Sequence, residues 1–153
     1  MSTAERFLCE AIDLARENLH NGGRPFGAVV VKDGVVIATG VNEVTAVQDP
    51  TAHAELQAIR AASRALGSLR LDGCAIYASG QPCPMCLAAM HVTGIGEVTY
   101  AYSSEDAEPY GLSRADIYAE MAKPLAQQSI KATYLPVRPD GSDLYEMWRH
   151  RTG

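Results

Sequence analysis

The chain has 153 residues, 47% hydrophobic and 20% charged, a composition with enough apolar mass for a core and unlike that of a disordered tail or coiled coil. No run approaches the roughly 20 apolar residues of a bilayer span. Met1 to Arg6 holds a Glu and no basic stretch before its apolar positions, so no secretory leader is expected and the cytoplasm is the expected location. Eighteen acidic against 13 basic residues give a net charge of −5, which argues against nucleic acid as the partner.

Taken in chain order, residues 2 to 21 read as an amphipathic helix. Ser2 and Glu5 have capping-box spacing, Phe7, Leu8, Ala11, Ile12, Ala15 and Leu19 share a face, and Gly22-Gly23 closes it. Phe26 to Val31 and Val35 to Val41 are β-rich runs joined by the turn Lys32-Asp33-Gly34. Asp49-Pro50 predicts the start of the next helix and Gly67 its end. A strand follows at 75–78, a helix from Pro82 or Pro84 to Thr93 ended by Gly94, and a strand at 97–102. A helix over 114–121, a last strand over 131–135 and a closing helix over 142–149 complete the pattern. A hairpin followed by αβ units predicts a single α/β domain over residues 1–153, with helices packed on the faces of a mixed sheet of five strands.

Four cysteines without a leader read as thiols or metal ligands rather than disulfides. Cys9 and Cys74 stand among apolar neighbours and are expected to be buried. Cys83 and Cys86 are different. Together with His53 they supply one imidazole and two thiolates, a zinc-type set with a fourth tetrahedral position open, as a catalytic metal site requires. Two cysteines at a helix start also place thiolates at the positive end of its dipole. Glu55, two residues after His53, is near enough to take a proton from a zinc-bound water and pass it to a substrate. A thioredoxin-like redox reading explains the Cys pair but gives His53 and Glu55 no task.

A His-x-Glu segment followed by Pro-Cys-x-x-Cys is the signature of zinc nucleobase deaminases. On Pro25-Phe26-Gly27-Ala28-Val29-Val30-Val31, Asn42, Asp49-Pro50-Thr51-Ala52-His53-Ala54-Glu55 and Pro82-Cys83-Pro84-Met85-Cys86, in that order, the chain resembles the cytidine-deaminase-like superfamily, and within it the small guanine deaminases. The resemblance implies a three-layer α/β/α fold and hydrolysis of an exocyclic amine on a small heterocycle by water, with release of ammonia. It implies Zn2+ held by His53, Cys83 and Cys86, with Glu55 as the proton shuttle. Asn42, Phe26 and Ala54 would contact the base. Together with the tyrosines from Tyr100 onward, it also points to a homodimer.

Three departures from the guanine-deaminase pattern bear on the substrate. Gln81 stands where Glu is usual, Gly111-Leu112-Ser113-Arg114 has no acidic residue, and the chain stops at Trp148-Arg149-His150-Arg151-Thr152-Gly153 without a longer tail. Guanine is the leading expectation. Cytosine, guanosine, a pterin, an amino-triazine and a tRNA adenosine are the alternatives.

Overall fold

The structure is a computed structural model and describes residues 1–151; Thr152 and Gly153, the end of the C-terminal segment noted above, lie outside the described residues. Helix α1 (Thr3–His20) begins with the expected capping box: Glu5 N donates to Ser2 Oγ and Ser2 N to Glu5 Oε2. Strands β1 (Gly27–Lys32) and β2 (Val35–Val41) form a hairpin turned by Asp33 and Gly34, both at positive φ, as the Asp-Gly pair favours. Then follow α2 (Ala54–Leu66), β3 (Cys74–Gly80), α3 (Pro84–Thr93) and β4 (Glu97–Tyr102). The short α4 (Ser104–Ala107) and the helix α5 (Ala115–Met121) lie beyond β4.

The sheet order is β2-β1-β3-β4; β1 runs antiparallel to β2 and β3, and β4 runs parallel to β3 after the α3 crossover. Strand β1 explains the layering. Its side chains alternate between faces, and both faces are covered. Ala28 and Val30 pack with Ala54, Ala58 and Ile59 of α2 and with Cys86 and Met90 of α3, while Val29 and Val31 pack with Phe7 of α1. Helices therefore cover both sides of a mixed sheet.

Among the described residues the sheet has four strands, not the expected five. Residues 131–135 are exposed throughout and adopt no strand. The chain divides into two compact units, Met1–Ala122 and Lys123–Gly153. In the second unit the final helix α6 (Leu144–Arg149) starts two residues later than expected, capped by Asp143. Its Trp148 is exposed, with the Arg151 guanidinium over its ring. Cys74 is buried as expected, but Cys9 is exposed, because it falls on the solvent side of the α1 stripe.

Two glycines, Gly27 against α1 and Gly40 against α2, set how closely the helices approach. A Cβ at Gly40 would lie 2.3 Å from Ala54 O and 2.5 Å from Ala58 N, so β2 and the first turns of α2 touch backbone to backbone. Gly40→Ala is expected to cost about 1–3 kcal/mol by overpacking, at roughly 2–4 °C of Tm per kcal/mol for a chain this size. Gly96→Ala, where a Cβ meets nothing within 4 Å, serves as the control in the same thermal melt and should stay near wild type.

Candidate active site

Because β1 is antiparallel to β2 and β3, its start lies at the same end of the sheet as the ends of β2, β3 and β4. The loops at that end carry the site. Asn42 N donates to Phe26 O (3.1 Å) and Glu43 N to Ala52 O (2.9 Å), which ties the entry to β1, the exit from β2 and the approach to α2 together. Helix α2 does not start at Asp49. That side chain instead closes a turn, accepting from Thr51 N (2.8 Å) and Thr51 Oγ1 (2.7 Å), and the helix begins at Ala54 with His53 as its N-cap. Cys83 is likewise the N-cap of α3, with Pro84 in the first turn. Neither cap side chain bonds its own helix; each turns toward the other.

His53 Nδ1 lies 3.5 Å from Cys83 Sγ and 3.6 Å from Cys86 Sγ, and the three ligand atoms fall within 4.8 Å of one another. Zinc bonds of about 2.3 Å to sulfur and 2.0–2.1 Å to nitrogen in a tetrahedron separate N and S by about 3.5 Å, so the triad has the spacing zinc needs. The donor chemistry agrees. Cys83 is pushed down to about 4 by the hydrogen bond from the Cys86 thiol and, further, by His53, while the same pairing and burial push Cys86 up. Two sulfurs this close share one proton unless a cation balances both as thiolates. Glu55, in the first turn of α2, is 6% exposed, and burial raises its pKa above the usual carboxylate range.

His53, Glu55 and Cys83 line one small cavity of about 80 Å³ together with Phe26, Asn42 and Ala54, while Cys86, the third member of the triad, is fully buried within 4.8 Å of the other two ligand atoms. Pairing at the rim fixes the amides. Gln81 Oε1 accepts from Ser104 N (2.9 Å) and Asn42 Oδ1 from Val44 N (3.3 Å), which leaves each NH₂ as the group available to the cavity. Tyr118 of α5 also lines the cavity and donates through its hydroxyl to Pro82 O, beside the first cysteine ligand. The sequence pattern did not single out Tyr118, Arg24, Ser103 or Ser104 as residues of the rim. The placement of Arg24 directly before Pro25-Phe26 was the available signal. His20, His91 and His150 are exposed and stand apart from the triad.

A fold with a metal triad and buried carboxylate at the helix starts beside one end of the sheet defines a zinc-dependent deaminase. Residues 1–102 match the cytidine and deoxycytidylate deaminase zinc-binding region, and the chain belongs to that family. It is 44% identical to the guanine deaminase of Bacillus subtilis over 147 residues, 95% of this chain and 94% of that one. The solved structure of that enzyme superposes with a TM-score of 0.86, covering 97% and 94% of the two chains at 43% identity. A tRNA-specific adenosine deaminase of Aquifex aeolicus is 32% identical over 145 residues, 95% of this chain and 93% of its own. A solved variant of the protein NE0047 in complex with 8-azaguanine is 30% identical, with a TM-score of 0.70 over 72% of this chain and 64% of its own. The chain is thus a guanine deaminase homologue with a zinc-binding deaminase domain, a hydrolase acting on C–N bonds. Among the described residues no helix is long and apolar enough to cross a membrane.

Metal analysis of the purified protein should find about one zinc per chain. Cys83→Ser or Cys86→Ser should lower that content sharply. Metal retention should fall as pH drops into the acid range, where the thiolates and imidazole bind protons in competition with zinc.

Proposed function

We propose that the protein deaminates a free nucleobase or closely related aminated heterocycle hydrolytically, releasing ammonia, with guanine the leading substrate by kinship to the Bacillus subtilis enzyme. The observation that carries this reading is Glu55, buried at the same small cavity as His53 and Cys83 of the ligand triad. Zinc held by His53, Cys83 and Cys86 would supply Lewis acidity that makes water a stronger acid near neutral pH. Glu55 takes the proton that the attacking water loses. Its raised pKa suits it to hold that proton and pass it to a ring nitrogen; a second proton, from the hydroxyl added at the ring carbon, then passes through Glu55 to the amine, which leaves as ammonia. Phe26 walls the ring, Asn42 offers its amide to the base, and Ala54 closes the cavity at the start of α2.

The net charge of −5 favours a small molecule over a tRNA loop. A reducing compartment such as the cytoplasm keeps Cys83 and Cys86 available as ligands. Residues 1–153 act as one catalytic chain in this reading, and a second copy is its partner. Tyr100, Tyr102 and Tyr110 are exposed next to the unpaired edge of β4, and residues 123–151 expose large apolar side chains without burying one.

Glu55→Gln should retain fold and zinc while kcat falls about 10²- to 10⁴-fold. An ammonia-release assay over guanine, guanosine, cytosine, a pterin, an amino-triazine and tRNA checks both chemistry and substrate class. Turnover near the wild-type rate in Glu55→Gln would refute the proton-shuttle role. Sedimentation should give a dimer mass; a 16.4 kDa species at all concentrations would remove the second copy from this account.

A further inference from the structure

The cavity has an excess of hydrogen-bond donors that proton transfer does not use. Arg24 and Arg114 line it, the first exposed and the second half-buried. Neither has a carboxylate within ion-pair distance among the described residues, and the Arg114 guanidinium, with five N–H donors, gives one to Ser113 O (3.2 Å). The free amides of Asn42 and Gln81 add donors on other sides. The one carboxylate in the lining is Glu55, already committed to the proton, and the Ser103 hydroxyl is taken up by Asp106. The loop bearing Arg24 is held in place, since Asn18 Nδ2 and Phe26 N both donate to Arg24 O (2.8 Å each).

On a protein of net charge −5, two unpaired guanidinium groups at one small cavity form a local positive field that draws an anion. A neutral free base presents N–H donors as well as acceptors, and each N–H facing these donors stays unpaired. An oxyanion accepts from all of them, and a guanidinium matches a carboxylate or phosphate with two parallel bonds. We infer that the preferred substrate is an aminated heterocycle carrying an oxyanion away from the reacting amine, held by Arg114 and Arg24. This inference rests on the deaminase reading of the same site and departs from it only in the substrate, an anionic heterocycle taking the place of neutral guanine. The oxyanion comes from one of two sources, a carboxylate on the ring or a phosphate on an attached sugar.

The test uses the zinc-loaded protein and two matched pairs: pterin with pterin-6-carboxylate, and guanine with guanosine 5′-monophosphate. Initial rates by ammonia release and dissociation constants by calorimetry are measured for all four compounds. In at least one pair, the anionic member should exceed its neutral partner by about tenfold or more in kcat/KM and in affinity, and that preference should shrink as salt rises. The pair that shows it identifies the source. Arg114→Asp should lower the anion-to-neutral ratio at least about tenfold, and Arg24→Gln, at an exposed position, should lower it in the same direction; zinc content reports that the site is intact. Preference for the neutral member in both pairs, or a ratio indifferent to both substitutions, overturns the inference. Turnover of neutral guanine alone would leave the deaminase reading standing. If no compound is turned over, that reading fails on ammonia release, and the dissociation constants still decide the anion preference.

Discussion

The site depends on two helix N-termini meeting. His53 caps α2 and Cys83 caps α3, yet neither side chain bonds its own backbone, in contrast to Ser2, Ser103 and Asp143 at other helix starts. Giving up a capping bond costs about 1 kcal/mol per helix. A zinc ion held by both caps would offset that cost, since metal binding to a site absent from the unfolded chain adds to folding free energy. The same arrangement brings the positive ends of two helix dipoles to the thiolates and to Glu55, where negative charge must be held away from water. Metal, base and helix starts are thus one electrostatic unit.

Close packing holds that unit in place. Gly40 lets the backbone of β2 lie against the first turns of α2, and the small Ala28, Ala54, Ala58 and Ala78 fill the layer between sheet and helices. With Cys86 at 0% exposure and Ile76 beside it, the second thiol ligand belongs to the core as much as to the site. A shift of α2 or α3 that loosened this layer would also separate the ligand atoms.

The elements that were legible in the sequence are those whose pattern is local. The Ser2–Glu5 box, the Asp33-Gly34 turn, the alternation of β1 and the His53, Glu55, Cys83 and Cys86 positions could all be read there, because each spacing answers to one turn or one helix start. Errors arose where a local pattern had a competing outcome. Asp49-Pro50 resembles a helix start, but the Asp49 carboxylate satisfies Thr51 and leaves the cap to His53. Residues 131–135 alternate like a strand, yet a strand needs a neighbour that local sequence does not reveal. Cys9 has apolar neighbours but sits off the buried stripe of Phe7, Ala11 and Ala15.

Specificity was the least legible feature for a related reason. The residues that make the metal site lie at helix starts, where backbone geometry constrains the choice of side chain. The residues around the rim come from separate loops: Arg24 before β1, Asn42 after β2, Gln81 after β3, Ser104 after β4 and Arg114 before α5. No spacing links them in the chain; only the shared end of the sheet brings them together. Their side chains also carry little of the core, so a change of charge at Arg114 perturbs the fold far less than a change at Gly40 or Cys86. On the proposed function, this fold can change the edge of the heterocycle it accepts while keeping the chemistry fixed, because the residues proposed for proton transfer and those proposed to read the substrate rest on different physical supports.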